Sequence, residues 1–169
     1  MSPVAHLNDL APVEAERELL TCCGSREWAR RVAAGRPYAD ADDLMEHADG
    51  VWRALGEADW REAFRAHPRI GETKAEAGQT EREKGWSSGE QAGMLTAAAP
   101  TQQALAEGNR TYEARFGYIY IVCATGRTAD EMLQLLTARL ANDPATEILV
   151  AAEEQRKITR IRLSKLLSD

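Results

Sequence analysis

Apolar residues along this chain recur mostly at intervals of three and four, a spacing that predicts helices nearly throughout. Leu10, Val13, Arg17 and Leu20 outline a first short helix, and Trp28 with Val32 a second, which Gly35-Arg36-Pro37 ends. Asp40 can cap a third, where Leu44, Ala48, Val51, Trp52 and Leu55 keep to one face until Gly56 closes it. Asp59 can cap a fourth, in which Trp60, Ala63 and Phe64 lead to His67. Pro68 cannot continue that helix and biases the residue before it away from the α region, so His67 is expected at the exit.

After Pro68 come about seventeen residues rich in Gly, Glu, Lys, Thr and Gln with little periodicity, and loops that long in a compact domain tend to be functional or mobile. Ser87-Ser88-Gly89-Glu90-Gln91 then reads as a helix start with Met94, Leu95 and Ala98 on its apolar face. Pro100 breaks the chain, and Leu105, Tyr112 and Phe116 mark a helix that stops at Gly117. Tyr118 to Ala124 is apolar with no partner strand in sight, and reads as a buried extended segment. Thr128 and Glu131 match a capping box before Met132, Leu135, Leu136 and Leu140, and Asn142-Asp143-Pro144 turns the chain into its last helix. The expected fold is all-α, a single compact multi-helix domain over residues 1–169.

Composition narrows the classes. A chain of 169 residues can bury one real core without staples. Its net charge of −6 and lack of a Lys/Arg block disfavour nucleic acid and anionic membrane as partners. Three cysteines, two of them adjacent at Cys22 and Cys23, show neither disulfide nor zinc spacing, so a reducing compartment and no structural metal are expected. The N-terminus has no basic region followed by an apolar run, and Tyr118 to Ala124 is too short to span a bilayer. A cytoplasmic protein is expected. Ser164-Lys165-Leu166 is followed by three more residues and reads as helix rather than as a peroxisomal address.

Three places carry candidate chemistry, each with a plainer alternative. His67 is placed yet reachable, though a lone histidine before proline is usually only a helix-end residue. Ser87 and Glu90 match a second capping box, which explains both without any catalysis but leaves Gln91 unexplained. A helix start there would also offer free amides and a dipole favourable to anions. In the last helix Ile148, Ala152, Gln155, Ile158, Arg162 and Leu166 fall close to one stripe, so Arg162 points inward. Arg160, about 200° around the helix from it, reads as solvated. A buried arginine needs an anionic partner, and an internal carboxylate and a substrate carboxylate are about equally good candidates.

His67-Pro68-Arg69-Ile70-Gly71, Ser87-Ser88-Gly89-Glu90-Gln91-Ala92-Gly93, Asn109 with Tyr112 and Phe116-Gly117-Tyr118, Gly126-Arg127 and Arg162-Leu163 occur together in the order and spacing of one family. From about Leu7 to Leu167 the chain resembles 2-oxo-4-hydroxy-4-carboxy-5-ureidoimidazoline (OHCU) decarboxylase. The Cys22-Cys23-Gly24 region departs from the acidic, hydrophobic pattern of many members. The resemblance implies an all-helical, cofactor-free homodimer that converts OHCU to (S)-allantoin in urate breakdown. It implies catalytic roles for His67, Glu90 and Arg162, and substrate contacts at Pro68, Ser87, Gln91 and the segment Ile121, Val122, Cys123 and Ala124.

The residue types suit that chemistry. The substrate's C=N bond stands beside the carbon bearing the carboxylate, so the electrons left by CO₂ can flow into the substrate itself. What remains is to hold a carboxylate, which suits Arg162, to place an acid/base, which suits His67, and to orient the imidazole, which suits Glu90. Gln91 can both donate to and accept from ureido and ring amide groups. A helical ligand-binding module without turnover and a helical interaction protein remain compatible with the composition.

Overall fold

The computed structural model describes residues 2–70, 81–90 and 92–169, with residues 81, 84, 87, 88, 95 and 96 described in backbone only. The elements are α1 (Ala5–Asp9), α2 (Pro12–Leu20), α3 (Arg26–Ala34), α4 (Ala41–Ala54), α5 (Glu57–Arg65), α6 (Glu81–Glu90), a 3₁₀ turn (Ala92–Thr96), α7 (Ala99–Phe116), α8 (Ala129–Leu140) and α9 (Pro144–Leu166). Among the described residues there is no strand, and no helix is long and apolar enough to cross a membrane. The fold class is all-α, as expected. Close contacts group the chain into two compact units, residues 1–63 with 156–169, and residues 64–155.

In the first of these units, α3 and α4 follow the sequence pattern. Ser25 caps α3 by accepting from Trp28 N–H, and Asp40 caps α4 by accepting from Asp43 N–H at 2.9 Å. Trp28, Val32, Leu44, Ala48 and Trp52 are buried, and the Trp28 indole donates to the Ala48 carbonyl at 3.1 Å. An indole inside a core needs such an acceptor. The N-terminal region differs from expectation: α1 precedes α2, Leu10 lies between them, and Ala15 and Leu19 are the buried residues of α2. Val13 is 68% exposed, so this member of the expected stripe faces outward. Pro12 accounts for the displaced start, since its fixed φ suits the first helical turn.

The same proline preference corrects two other boundaries. Pro100 opens α7 rather than breaking it, and Pro144 opens α9 after Asp143 accepts from Thr146 N–H at 3.0 Å. Helix α5 starts at Glu57, placing Asp59 in its first turn rather than at its cap. In the unit of residues 64–155, α7 ends at Gly117 with φ 82°, a left-handed conformation that glycine adopts without penalty. Tyr112 meets Phe116 at a tilt and Tyr118 and Tyr120 edge to face, at centroid distances of 4.7, 5.8 and 5.4 Å, and Phe64 meets Tyr118 at 5.3 Å. Gly108 of α7 allows α8 to approach, because a Cβ there would lie 2.4 Å from Leu136 Cδ2.

Helix α6 is the largest departure from the sequence pattern. Residues 81–90 form one helix, so Ser87 lies inside it rather than at its start. Glu81-Arg82-Glu83-Lys84 are good helix formers but carry no apolar stripe, which is why periodicity misses the start of the element. The loop expected after Pro68 is therefore interrupted by helix, and its residues 71–80 lie outside the described residues.

Candidate functional site

His67 stands two residues beyond α5, its N–H donating to the Phe64 carbonyl at 3.2 Å. The helix ends where proline requires it to end. The ring is nearly enclosed, with His67 8% exposed, and its Nε2 lies 2.6 Å from Oε1 of Gln155, which is 0% exposed on α9. The chain leaving His67 is tied to α7 at two points one turn apart. Arg69 reaches both carboxylate oxygens of Glu113, with Nη2 to Oε1 at 2.8 Å, and Asn109 Nδ2 donates to the Ile70 carbonyl at 3.2 Å. A bidentate arginine fixes direction as well as distance.

Sequence reasoning gave the imidazole's orienting role to Glu90; the contact described at Nε2 is to Gln155. Its place on the inward stripe of the last helix was legible, but nothing in the sequence marks which buried amide meets which ring. Glu90 is buried and closes α6, so it lies at the negative end of a helix dipole rather than in a helix start. The favourable anion site expected from free amides at Ser87 is thus replaced by a helix end. Pro68 is half-buried next to His67. The Ser87 side chain and the whole of Gln91 lie outside the described residues.

The segment Ile121, Val122, Cys123 and Ala124 lies outside any helix or strand and is mostly buried, in keeping with the expected buried non-helical run. Without a partner strand, such a segment must satisfy its backbone otherwise. Here Arg139 Nη1 donates to the Ile121 carbonyl at 2.6 Å, Cys123 N–H donates to Glu154 Oε1 at 3.3 Å, and Arg127 Nε donates to the Cys123 carbonyl at 3.2 Å. Arg139 in turn is held by Glu147, Nε to Oε1 at 2.7 Å, and Glu147 also accepts from Asn142 Nδ2 at 2.9 Å and from the Tyr112 hydroxyl. Burial pushes the Tyr112 phenol well up from its ordinary range, against the pull of the Arg139 charge. The hydroxyl therefore acts as a donor to Glu147. Sequence reasoning missed Arg139 and Glu147, because helical spacing does not tell which two charged side chains of different helices meet.

Arg162 belongs to the other unit and is 4% exposed, inward as its stripe predicts. In that unit its charge acts on the buried Cys23 thiol, which also bonds to Thr159. Arg160 is not merely solvated: with Arg156 it holds Asp49, at 2.7 and 3.1 Å.

With that geometry in place, comparison with known proteins is specific. A family model described as OHCU decarboxylase matches residues 8–164. The "Uric acid degradation bifunctional protein TTL" of Arabidopsis thaliana is 38% identical over 154 residues, 91% of this chain and 48% of that one. This chain thus spans about half the length of that relative. The "2-oxo-4-hydroxy-4-carboxy-5-ureidoimidazoline decarboxylase" of Amia calva is 32% identical, with 82% of this chain and 79% of that one covered. A crystal structure of OHCU decarboxylase in the presence of (S)-allantoin superposes with a TM-score of 0.78 at 38% identity, covering 90% of this chain and 98% of that one.

Proposed function

The chain belongs to the OHCU decarboxylase family, and from that premise we propose that it decarboxylates OHCU to (S)-allantoin in urate degradation. The observation that carries the reading is a buried imidazole at the exit of α5, hydrogen-bonded at one nitrogen by Gln155. An acid/base group in that state is oriented before substrate arrives.

The reaction balances without an external electron acceptor. The bond from the ring carbon to its carboxylate breaks, CO₂ leaves, and the electron pair moves into the adjoining C=N unit, whose nitrogen takes one proton. The enol so formed becomes the ketone by losing its hydroxyl proton while the carbon bearing the ureido group gains one. His67 is the group in this reading that moves protons, and delivery to one face sets the S configuration. Arg162, whose buried guanidinium has the fork that a carboxylate fits, is the cation in this reading; Glu90, Pro68, Ser87, Gln91 and the Ile121–Ala124 backbone complete the proposed contacts. That residues 1–169 act as one domain, in a cytoplasmic homodimer without nucleic acid, membrane or cofactor, belongs to the same proposal. The net charge of −6 and the absence of disulfide spacing support its location.

The test follows loss of freshly generated OHCU and the optical rotation of the allantoin formed. Accelerated loss with S product is expected. A thermal shift without turnover would instead mean a binding module, and neither effect would mean an interaction protein. Light scattering on the same sample gives the oligomeric state, with a dimer expected.

A further inference from the structure

At Nε2 the His67 ring meets a neutral carboxamide, and that has a chemical consequence. Nε2 of the ring faces Oε1 of Gln155 at 2.6 Å, and a carboxamide oxygen can only accept. The ring proton therefore sits on Nε2. In the neutral imidazole the basic nitrogen is then Nδ1. We infer that Gln155 is a positioning residue that locks His67 in its Nε2–H tautomer, so that Nδ1 is the nitrogen that exchanges protons with substrate.

Three features support a lock rather than a passing contact. Gln155 is fully buried, and His67 nearly so, so water does not compete freely for either group. Gln155 lies well inside α9, a helix of 23 residues, with buried Ala151 and Ala152 on the preceding turn, so the carboxamide is carried by a rigid element. The residue before it, Glu154, accepts from Cys123 N–H, so adjacent positions of one helix hold the imidazole and the non-helical segment. Neutrality matters as well. A carboxylate in this place would favour imidazolium, as in a triad, whereas an amide fixes the tautomer and adds no charge. The statement about the tautomer concerns the resting protein; its use toward OHCU rests on the function proposed above.

The experiment is a two-bond proton–nitrogen correlation spectrum of protein labelled at histidine nitrogen, recorded where His67 is neutral. The chain has three histidines, and the His67→Asn variant assigns the relevant one. Expected is Nε2 with the shift of a protonated nitrogen and Nδ1 with that of an unprotonated one. The reverse pattern, or averaged shifts from both tautomers, overturns the inference. Gln155→Glu keeps an acceptor and should keep the Nε2–H pattern, while Gln155→Met should lose it and lower kcat by about 10- to 100-fold, the scale for losing a group that orients a functional histidine. Retention of the pattern in Gln155→Met would also overturn it. The wild-type spectrum needs neither turnover nor a folded variant beyond the assignment. An Nε2–H ring in a protein without OHCU turnover would sink the proposed function alone, and an Nδ1–H ring in an active enzyme would sink this inference alone.

Discussion

At the scale of single residues the chemistry concentrates on two side chains whose burial goes against their type. His67 is enclosed with its Nε2 on an amide, and if it moves the proton then His67→Asn lowers kcat by about 10²-fold or more, with the melting temperature nearly held. Turnover near wild type in stopped assays would remove it from the reaction. Arg162 is a buried fork, and lysine carries the charge without the planar geometry. Arg162→Lys should therefore raise KM for OHCU strongly. Arg160→Lys should not, because Arg160 spends its charge on Asp49 in a part-buried contact. Binding titrations with a carboxylated analogue and with allantoin decide the matter: equal loss for both at Arg162 means the arginine holds the fold rather than the carboxylate. Both residues were legible because proline and helical spacing constrain direction. Gln155 was only half legible, since a stripe tells that a side chain points inward but not what it meets. Ser87 was misread because a capping pattern is a local rule that a continuing helix overrides.

At the scale of elements, legibility followed the apolar stripe. Helices α3, α4, α7 and α8 bury such a stripe and were read nearly as they stand, whereas α6 has none and its start was placed at Ser87 instead of Glu81. The buried non-helical segment was legible for want of a partner strand, but what replaces the strand was invisible: Arg139 from α8 and Glu154 from α9 serve its backbone. Such a substitution places ionic groups in the core, with Glu147 0% exposed beneath Arg139. Removing one partner leaves the other buried and charged. Arg139→Met is therefore expected to destabilise by about 3–5 kcal/mol, and the double change Arg139→Met with Glu147→Met by less than the sum of the singles. Urea unfolding of the four proteins measures this. Additive effects would mean that the two groups do not hold one another, and the ladder to Ile121 would then need another anchor.

At the scale of the whole molecule, several acids are kept neutral by burial, and their sum sets how the protein meets alkali. Burial raises the Cys23 thiol to about 11, against lowering contributions from bonds to Ser25 and Thr159 and from the Arg162 charge. Burial likewise pushes the Tyr120 phenol up to about 12 and raises Tyr38 and Tyr112 further. For each, the unfolded chain loses its proton at lower pH than the folded one does. Above the unfolded value the unfolded state binds fewer protons, so stability must fall as pH rises. For Cys23 the loss runs from about pH 9 to pH 11 and amounts to about 2–3 kcal/mol when complete. The tyrosines extend the decline above pH 10. The urea midpoint should accordingly drop between pH 8 and pH 10.5 in the wild type. In Cys23→Ala the drop over the same interval should be smaller, whatever the variant's own stability at pH 8, because the slope and not the offset reports the titrating group. An unchanged slope would mean that the Cys23 thiol ionises in the folded protein as readily as in the unfolded chain, and the alkaline limit would then belong to the phenols alone.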